Sequence, residues 1–378
     1  MKLKRGMAMD NDWVTAWLEK MTTKVAAESK RLAGATPYMP YDGHYSDVVA
    51  ERGADWWANG FWSGLLWQLF HYTKQPSFKQ TALLQEKRLD KALYEFKDIH
   101  HDVGFMWLLT SVAHYRLTGD QQAYRTGLHA ANLLAGRFNI TGNFLVAWND
   151  HPGWCIIDSM MNVQLLYWAS AETADPRFAK IATRHAQTIA QYLVRTDGSV
   201  GHIASFDAAS GAFIEQLAGQ GASADSAWSR GQAWAIYGFA LTYRHTKLPE
   251  FLVVAQRVAD YFISQMGRSN DVPLADFRAP ALPNLHDTSA AMIAACGLLE
   301  LANWAPTAAS STYHQAAVQL LQASEARYAD WSLMEDGVIG GGTEAYHRPA
   351  TYEVPLIYSD YFFTEALLRL QGQALFVW

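Results

Sequence analysis

A chain of 378 residues, half of them apolar, with two cysteines and a formal charge of −6, excludes several classes at once. It has no basic footprint for nucleic acid, no apolar run near the roughly 20 residues that cross a bilayer, and too few cysteines for a disulfide framework or a Cys-rich zinc site. A cytoplasmic protein is expected, with Cys155 and Cys296 reduced and packed.

The N-terminal stretch MKLKRGMAMDNDW is basic with no apolar run behind it, so it does not read as a signal peptide. No Pro/Gly/Ser-rich linker or charge run follows, and the chain reads as one domain over 1–378. From FWSGLLWQLFHY (61–72) onward, one unit recurs: an apolar helix, a turn opening on Thr, then Pro and Phe, then a striped helix. Thr73, Pro76 and Phe78 carry it first, followed by a looser copy at Thr118, Gly119, Asp120 and Tyr124. Thr173, Pro176 and Phe178 repeat it, as do Thr246, Pro249 and Phe251. Proline suits a first helical turn, where its missing N–H is not needed.

Helices that are apolar all round are buried on all sides, whereas FKQTALLQEKRLDKAL (78–93) and FAKIATRHAQTIAQYL (178–193) show one apolar and one wet face. Six inner starts fall near Asn59, Asp102, Asp158, Arg230, Asp287 and Asp360, roughly 45 to 75 residues apart, longer than common solenoid repeats. Six such hairpins predict an all-α fold, the (α/α)6 toroid, with an open superhelix as the alternative. The Gly- and Ala-rich intervals near 196–228 and 268–286 read as loops over one mouth, with short β-hairpins near 199–215.

In a toroid the six inner helix starts meet at one rim, where free N–H groups and helix dipoles favour anions. Trp56, Asn59, Asp102, Asp158, Arg230, Asp287 and Asp360 stand there. Aspartate is also a preferred N-cap. Asp287 and Asp360 read as caps, and for Asp102 and Asp158 capping and catalysis both remain open. His100, His101 and Asp102 suggest a metal, but consecutive side chains on a helix or strand diverge, so the geometry is expected to be poor. Many of the 15 tryptophans and 18 tyrosines sit at helix starts beside polar groups, an arrangement on which sugar rings stack.

The blocks DWWANGFWSG (55–64), HHDVGF (100–105), CIIDSMMN (155–162), WSRGQAWAIYGFAL (228–241), DTSAAMIAACGLLELA (287–302) and SDYFFTEALLRL (359–370) resemble, in this order, the unsaturated glucuronyl hydrolases of glycoside hydrolase family 88. The resemblance implies an (α/α)6 barrel acting on oligosaccharides left by polysaccharide lyases, whose terminal uronic acid carries a C4=C5 double bond. It implies Asp158 as general acid/base and Asp102 as its partner carboxylate. Trp56, His101, His202, Gln220, Trp228, Arg230 and Trp234 match positions lining the family's pocket. Trp56 and Trp234 would stack on sugar faces. Arg230 would hold a carboxylate in a two-bond fork, or else pair with a rim aspartate. The expected partner is a small oligosaccharide, with no metal, organic cofactor, nucleic acid or membrane.

Departures from the family pattern matter. Gly219-Gln220-Gly221 stands where the family often reads His-Gln-Gly, so one histidine contact is missing. Asn59-Gly60-Phe61 replaces Asp-Gly-Phe. The last long loop, GGGTEAYHRPATYEV (340–354), lacks the Ser-x-x-Ser-x-Lys pattern of members that prefer sulfated fragments, although His347 and Arg348 can meet an anionic neighbouring sugar. Three alternatives stand beside this reading: an unsaturated rhamnogalacturonyl hydrolase, an inverting glycosidase with carboxylates about 6.5–9.5 Å apart, and a saccharide-binding protein without catalysis.

Overall fold

The computed structural model describes residues 12–96, 98–267 and 270–378; most of the N-terminal stretch, residues 1–11, lies outside them. Six inner helical segments run in chain order: Asn59–Thr73, 103–118, 159–173, Ser229–Thr246, Thr288–Ala302 and Ile357–Leu370. Each alternates with an outer helix, namely Asp12–Leu32, Pro76–Glu95, Gln121–Gly136, Pro176–Tyr192, Pro249–Met266 and Thr307–Tyr328. Each inner helix packs on the next, and the sixth returns onto the first. That last contact closes the ring into the (α/α)6 toroid and excludes the open superhelix.

The repeated turn has one physical construction. Thr73 Oγ1 donates to the carbonyl of Leu69 and accepts from Gln75 N, Lys74 takes a left-handed φ of 60°, and Pro76 opens the outer helix. Thr173 with Ala174 and Thr246 with Lys247 repeat every element of this, both left-handed residues having φ 57°. In the looser copy, Gly119 supplies the left-handed residue at φ 73° and the Asp120 side chain caps the outer helix. The phenylalanine after each proline, Phe78, Phe178 or Phe251, is buried and fastens the outer helix to the ring.

Two inner helices are irregular. The second passes through a π-helical segment, Leu108–Val112, and the third is interrupted at Val163. One hydrophobic cluster runs from Val14 to Trp378. The indole of Trp378 is fully buried, stacks on Phe362 at 6.0 Å, and donates to Glu365 Oε2. Phe105 and Tyr237 lie beside it, so residues from three inner helices meet this one ring.

Short strands decorate the rim. Trp154–Ile156, Ile203–Phe206 and Phe213–Leu217 form an antiparallel sheet with Ile156 opposite Ile203, extending the hairpin expected near 199–215. Asp287 caps its helix, its side chain accepting from Ser289 N. The cap reading of Asp360 is corrected: Leu356 is the N-cap, and the Asp360 carboxylate accepts from Val338 N and Ile339 N, pinning a loop from inside the first turn. Its buried carboxyl is pushed up to about 6 by desolvation, which those two N–H donors partly offset.

Close inner packing can be tested at glycines. A Cβ on Gly238 would lie 2.4 Å from Met160 Cβ and 2.9 Å from its carbonyl, whereas one on Gly136 meets nothing within 4 Å. Gly238→Ala is expected to cost about 1–3 kcal/mol by overpacking, and Gly136→Ala to be neutral or stabilising by up to about 1 kcal/mol. Urea midpoints at an unchanged slope measure both.

Candidate active site

Asp102 enters the site from a tight turn. His101 N donates to the carbonyl of Ala147, and the carbonyl of Asp102 accepts the first helical bond from Met106 N. Its carboxylate makes no capping bond. Instead Oδ1 accepts from Asn162 Nδ2 at 2.9 Å, while Oδ2 lies 3.2 Å from His100 Nδ1 and 3.3 Å from His101 Nε2. The expectation that these three side chains diverge is therefore corrected. They belong to a turn, not a helix or strand, and one donor atom from each falls within 4.8 Å of the others. Burial alone would push the Asp102 carboxyl up, but the His101 and His100 imidazoles outweigh it and hold the group well below the usual carboxylate range. Asp102 is an anion, with Oδ1 hydrogen-bonded to Asn162 and Oδ2 beside two imidazoles.

Asp158 has a different set of partners. It follows the strand Trp154–Ile156, and its side chain makes no cap bond. Oδ1 has no hydrogen-bond partner among the described residues and faces His202 Nε2 at 3.5 Å, with the side chain 13% exposed. The sheet brings these two together: Ile156 pairs with Ile203, and Ile157 N donates to the carbonyl of His202. His202 Nδ1 accepts from Gln220 N at 2.8 Å, so in the neutral ring the proton sits on Nε2, the nitrogen 3.5 Å from Asp158 Oδ1 and without a hydrogen-bond partner among the described residues.

That bond explains the departure at Gly219. Its φ is +57°, and a Cβ there would lie 1.8 Å from His202 Nδ1. The glycine lets the loop close onto the imidazole, so a His-Gln-Gly sequence cannot adopt this backbone here. Ser159, next in the chain, is held between the carbonyl of Ile156 and His185 Nε2, while His185 Nδ1 accepts from Leu145 N.

The other expected residues divide. Trp228 lies against the His202 ring at 4.6 Å and under the Arg230 guanidinium at 4.6 Å. Gln220 spans the mouth, Nε2 donating to the carbonyl of Glu344 at 2.7 Å. Trp56 stands at the rim beneath Arg52, 4.4 Å above its ring, with Nε1 lacking a partner among the described residues. His347 and Arg348 are exposed on the last loop, His347 Nε2 lying 3.0 Å from the carbonyl of Ala222.

Two readings are corrected. Arg230 is 1% exposed and donates to Asp287 at 2.7 Å, Ser289, and the carbonyls of Thr343 and Glu344, so the rim-aspartate alternative holds and its fork is spent. Trp234 is fully buried, packed on Phe105 at 5.0 Å and Phe362 at 5.5 Å. It lies more than a turn into its helix, below the reach of a sugar face. His101 is also fully buried, with Nε2 3.3 Å from Asp102 Oδ2.

Several site residues were missed in the sequence. Asn162 lies four residues after Asp158, a helical spacing that was available to read. Tyr38, Arg52, Glu344 and Trp148 sit in loops or short elements with no periodic signal. Tyr38 donates to Glu344 Oε1 at 2.9 Å, and Trp148 meets the His101 ring edge-on at 6.4 Å. Behind Trp148 opens a separate cavity of about 520 Å³, lined among others by Ile99, Arg137, Val146 and Pro152.

The model of Glycosyl Hydrolase Family 88 matches residues 28–274. The chain belongs to that family. Among its relatives, an unsaturated glucuronyl hydrolase of Bacillus sp. (strain GL1) is 33% identical over 330 residues, spanning 83% of this chain and 86% of that protein. An unsaturated chondroitin disaccharide hydrolase of Streptococcus pyogenes serotype M1 is 32% identical over 325 residues, spanning 83% and 80%. The fold is similar to that of an unsaturated glucuronyl hydrolase mutant from Streptococcus agalactiae solved with dGlcA-GalNAc6S, at TM-score 0.85 and 26% identity over 99% of this chain and 95% of that one. Within the family 88 frame, the rim holding Asp102, Asp158 and His202 is the candidate active site.

His185 offers a pH test of the scaffold beneath Asp158. Burial, and then the His101 ring, push its imidazole down to about 3, against an ordinary value of about 6.5. The unfolded chain therefore takes the proton first, so this contribution to stability is present above pH 6.5 and lost as pH falls towards 3. Urea unfolding between pH 7 and 5 should show a smaller loss of stability in His185→Gln than in the natural chain.

Proposed function

We propose that the whole chain is one catalytic domain that removes a terminal C4=C5 unsaturated uronate from small oligosaccharides, with Asp158 as the group that gives and takes the proton. The observation that carries this is the contrast between the two carboxylates. Asp102 is ringed by Asn162, His100 and His101 and held as an anion, whereas Asp158 Oδ1 makes no hydrogen bond among the described residues and has only His202 Nε2 near it, at 3.5 Å. Two carboxyl groups in such different surroundings take different roles.

The substrate chemistry needs one proton carrier. The double bond and ring oxygen of the unsaturated sugar form an enol ether. Asp158 delivers a proton to C4, which leaves an oxocarbenium-like centre at C5. A water molecule adds to C5 and returns its proton to the Asp158 carboxylate, restoring the acid. The hemiketal so formed opens and releases the partner sugar. The fixed negative charge of Asp102 stabilises the positive centre as it develops. His202 Nε2–H, held in place by Gln220 N, steers the Asp158 oxygen or the incoming water. Trp56 and Trp228 supply aromatic walls around the ring. An inverting glycosidase would need a second carboxyl group free to exchange a proton, and Asp102 is not free. Unpaired, buried Cys155 and Cys296 support a reducing compartment, the cytoplasm, and no helix among the described residues is long and apolar enough to cross a membrane.

Asp158→Asn keeps the shape and loses the proton. Turnover of an unsaturated uronyl disaccharide, followed by the ultraviolet absorbance of its conjugated alkene, should fall below a few per cent of the natural rate while binding persists. A variant that retains a tenth or more of the rate places the acid elsewhere.

A further inference from the structure

His185 has no chemical step in the proposed reaction, yet two segments of the active site are tied to its ring. It stands on the outer helix Pro176–Tyr192 and is fully buried, so it cannot touch a substrate. Its Nδ1 accepts from Leu145 N at 2.9 Å, which places the proton of the neutral ring on Nε2. Nε2 lies 2.6 Å from Ser159 Oγ and donates to it, and the Ser159 hydroxyl donates in turn to the carbonyl of Ile156. The donors thus run one way, from Leu145 N through His185 and Ser159 to Ile156. A buried polar chain with every member satisfied holds one arrangement. Desolvation pushes the imidazole down to about 3, so the ring keeps this neutral form near neutral pH.

Both ends of the chain lead to a carboxylate. Ser159 follows Asp158, and the backbone around Asp158 is fixed on each side. The carbonyl of Ile156 is held by Ser159, Ile157 N by the carbonyl of His202 at 3.0 Å, and the carbonyl of Asp158 by Met161 N at 3.0 Å. The Asp158 side chain makes no cap bond, and its Oδ1 makes no hydrogen bond among the described residues. Its aim is therefore set by the backbone that Ser159 holds. Ser159 also opens the four-residue helix that ends at Asn162, and Asn162 Nδ2 donates to Asp102 Oδ1. At the other end, Leu145 lies two residues before Ala147, whose carbonyl accepts from His101 N at 3.3 Å. Thr188, three residues along the His185 helix, secures the same segment by donating to the carbonyl of Asn143 at 2.8 Å.

We infer that His185, acting through Ser159, is a positioning residue that sets the aim of the Asp158 carboxyl group and, through Asn162, the place of Asp102. This rests on the proposed reaction and adds to it a group remote from the substrate. A displacement of about 1 Å at a reacting group costs about a hundredfold in rate. Substrate binding, made by other residues, should hardly change.

The test cuts each link. Ser159→Ala deletes one oxygen and leaves His185 on Leu145 N. His185→Asn keeps an acceptor for Leu145 N but falls short of Ser159, and His185→Gln keeps the donor to Ser159. Rates on an unsaturated uronyl disaccharide are counted per folded molecule, from urea unfolding. In Ser159→Ala and His185→Asn kcat should fall by about tenfold to a hundredfold, with KM within about twofold of the natural value. His185→Gln should retain more of kcat than His185→Asn. A kcat within about twofold of the natural value in Ser159→Ala overturns the inference and leaves His185 in the scaffold. So does a loss carried by KM alone, or the reverse order of the two amides, which would put the effect in the Leu145 segment. Should His185→Asn fail to fold, Ser159→Ala decides, since it removes no carbon from the packing. Magnetic resonance of protein with isotope-labelled aspartate carboxyl groups, assigned with Asp158→Asn and Asp102→Asn, reads the aim without turnover. Both signals should move in Ser159→Ala, and signals that stay in place overturn the inference. If the natural protein leaves the alkene intact, the reaction fails, while these signals still decide what His185 and Ser159 hold.

Discussion

The hydrogen bond from Asn162 to Asp102 ties the second inner helix start to the third, and the site depends on it. The two helices approach so closely that a Cβ on Gly104 would lie 2.4 Å from Asn162 Cα. Asn162 uses both ends of its amide, donating to the carboxylate and accepting from Phe105 N. A buried side chain with both functions satisfied has one orientation, and a half-satisfied one would be costly. Asp102 and the segment bearing Asp158 therefore move as one body.

Around that body the rim sorts its charges. Arg230 and Asp287 neutralise each other out of water, and with Ser289 and two carbonyls they have the additional hydrogen bonds that a buried ion pair needs. Asp102 remains an anion, held by Asn162 with His100 and His101 beside it. Asp158 Oδ1, by contrast, makes no hydrogen bond among the described residues. His202 accepts from Gln220 N, and Gln220 Nε2 donates to the carbonyl of Glu344, so hydrogen bonds cross the mouth from His202 to Glu344.

The ring keeps this arrangement rigid. Gln68 bonds both backbone groups of Leu375, and Trp378 fills the space between inner helices. Beside it Arg369 reaches Glu365 and Glu300, and Arg244 also pairs with Glu300, a largely buried network spanning three inner helices with Arg244 at its exposed edge. Loops then carry the chemistry on a scaffold that cannot shear easily.

Much of the fold was legible in local sequence. The Thr turn, the left-handed residue after it and the proline at the next helix start are interactions within five residues, and the all-round apolar helices declare their own burial. Asp102, Asp158 and the Trp228 block could likewise be read from motif order. Partners could not. Whether Arg230 meets a substrate or Asp287, whether Trp234 faces a sugar or Phe105, and whether Asp360 caps a helix or holds residues 338–339 depend on groups distant in the chain. Glu344 and Tyr38, 306 positions apart, meet only because the ring closes. Short-range backbone chemistry determined the hairpins; the pairing of charges across the rim was decided by tertiary structure, because a charge takes whichever partner the closed ring brings within a few ångströms and no local pattern records that distance.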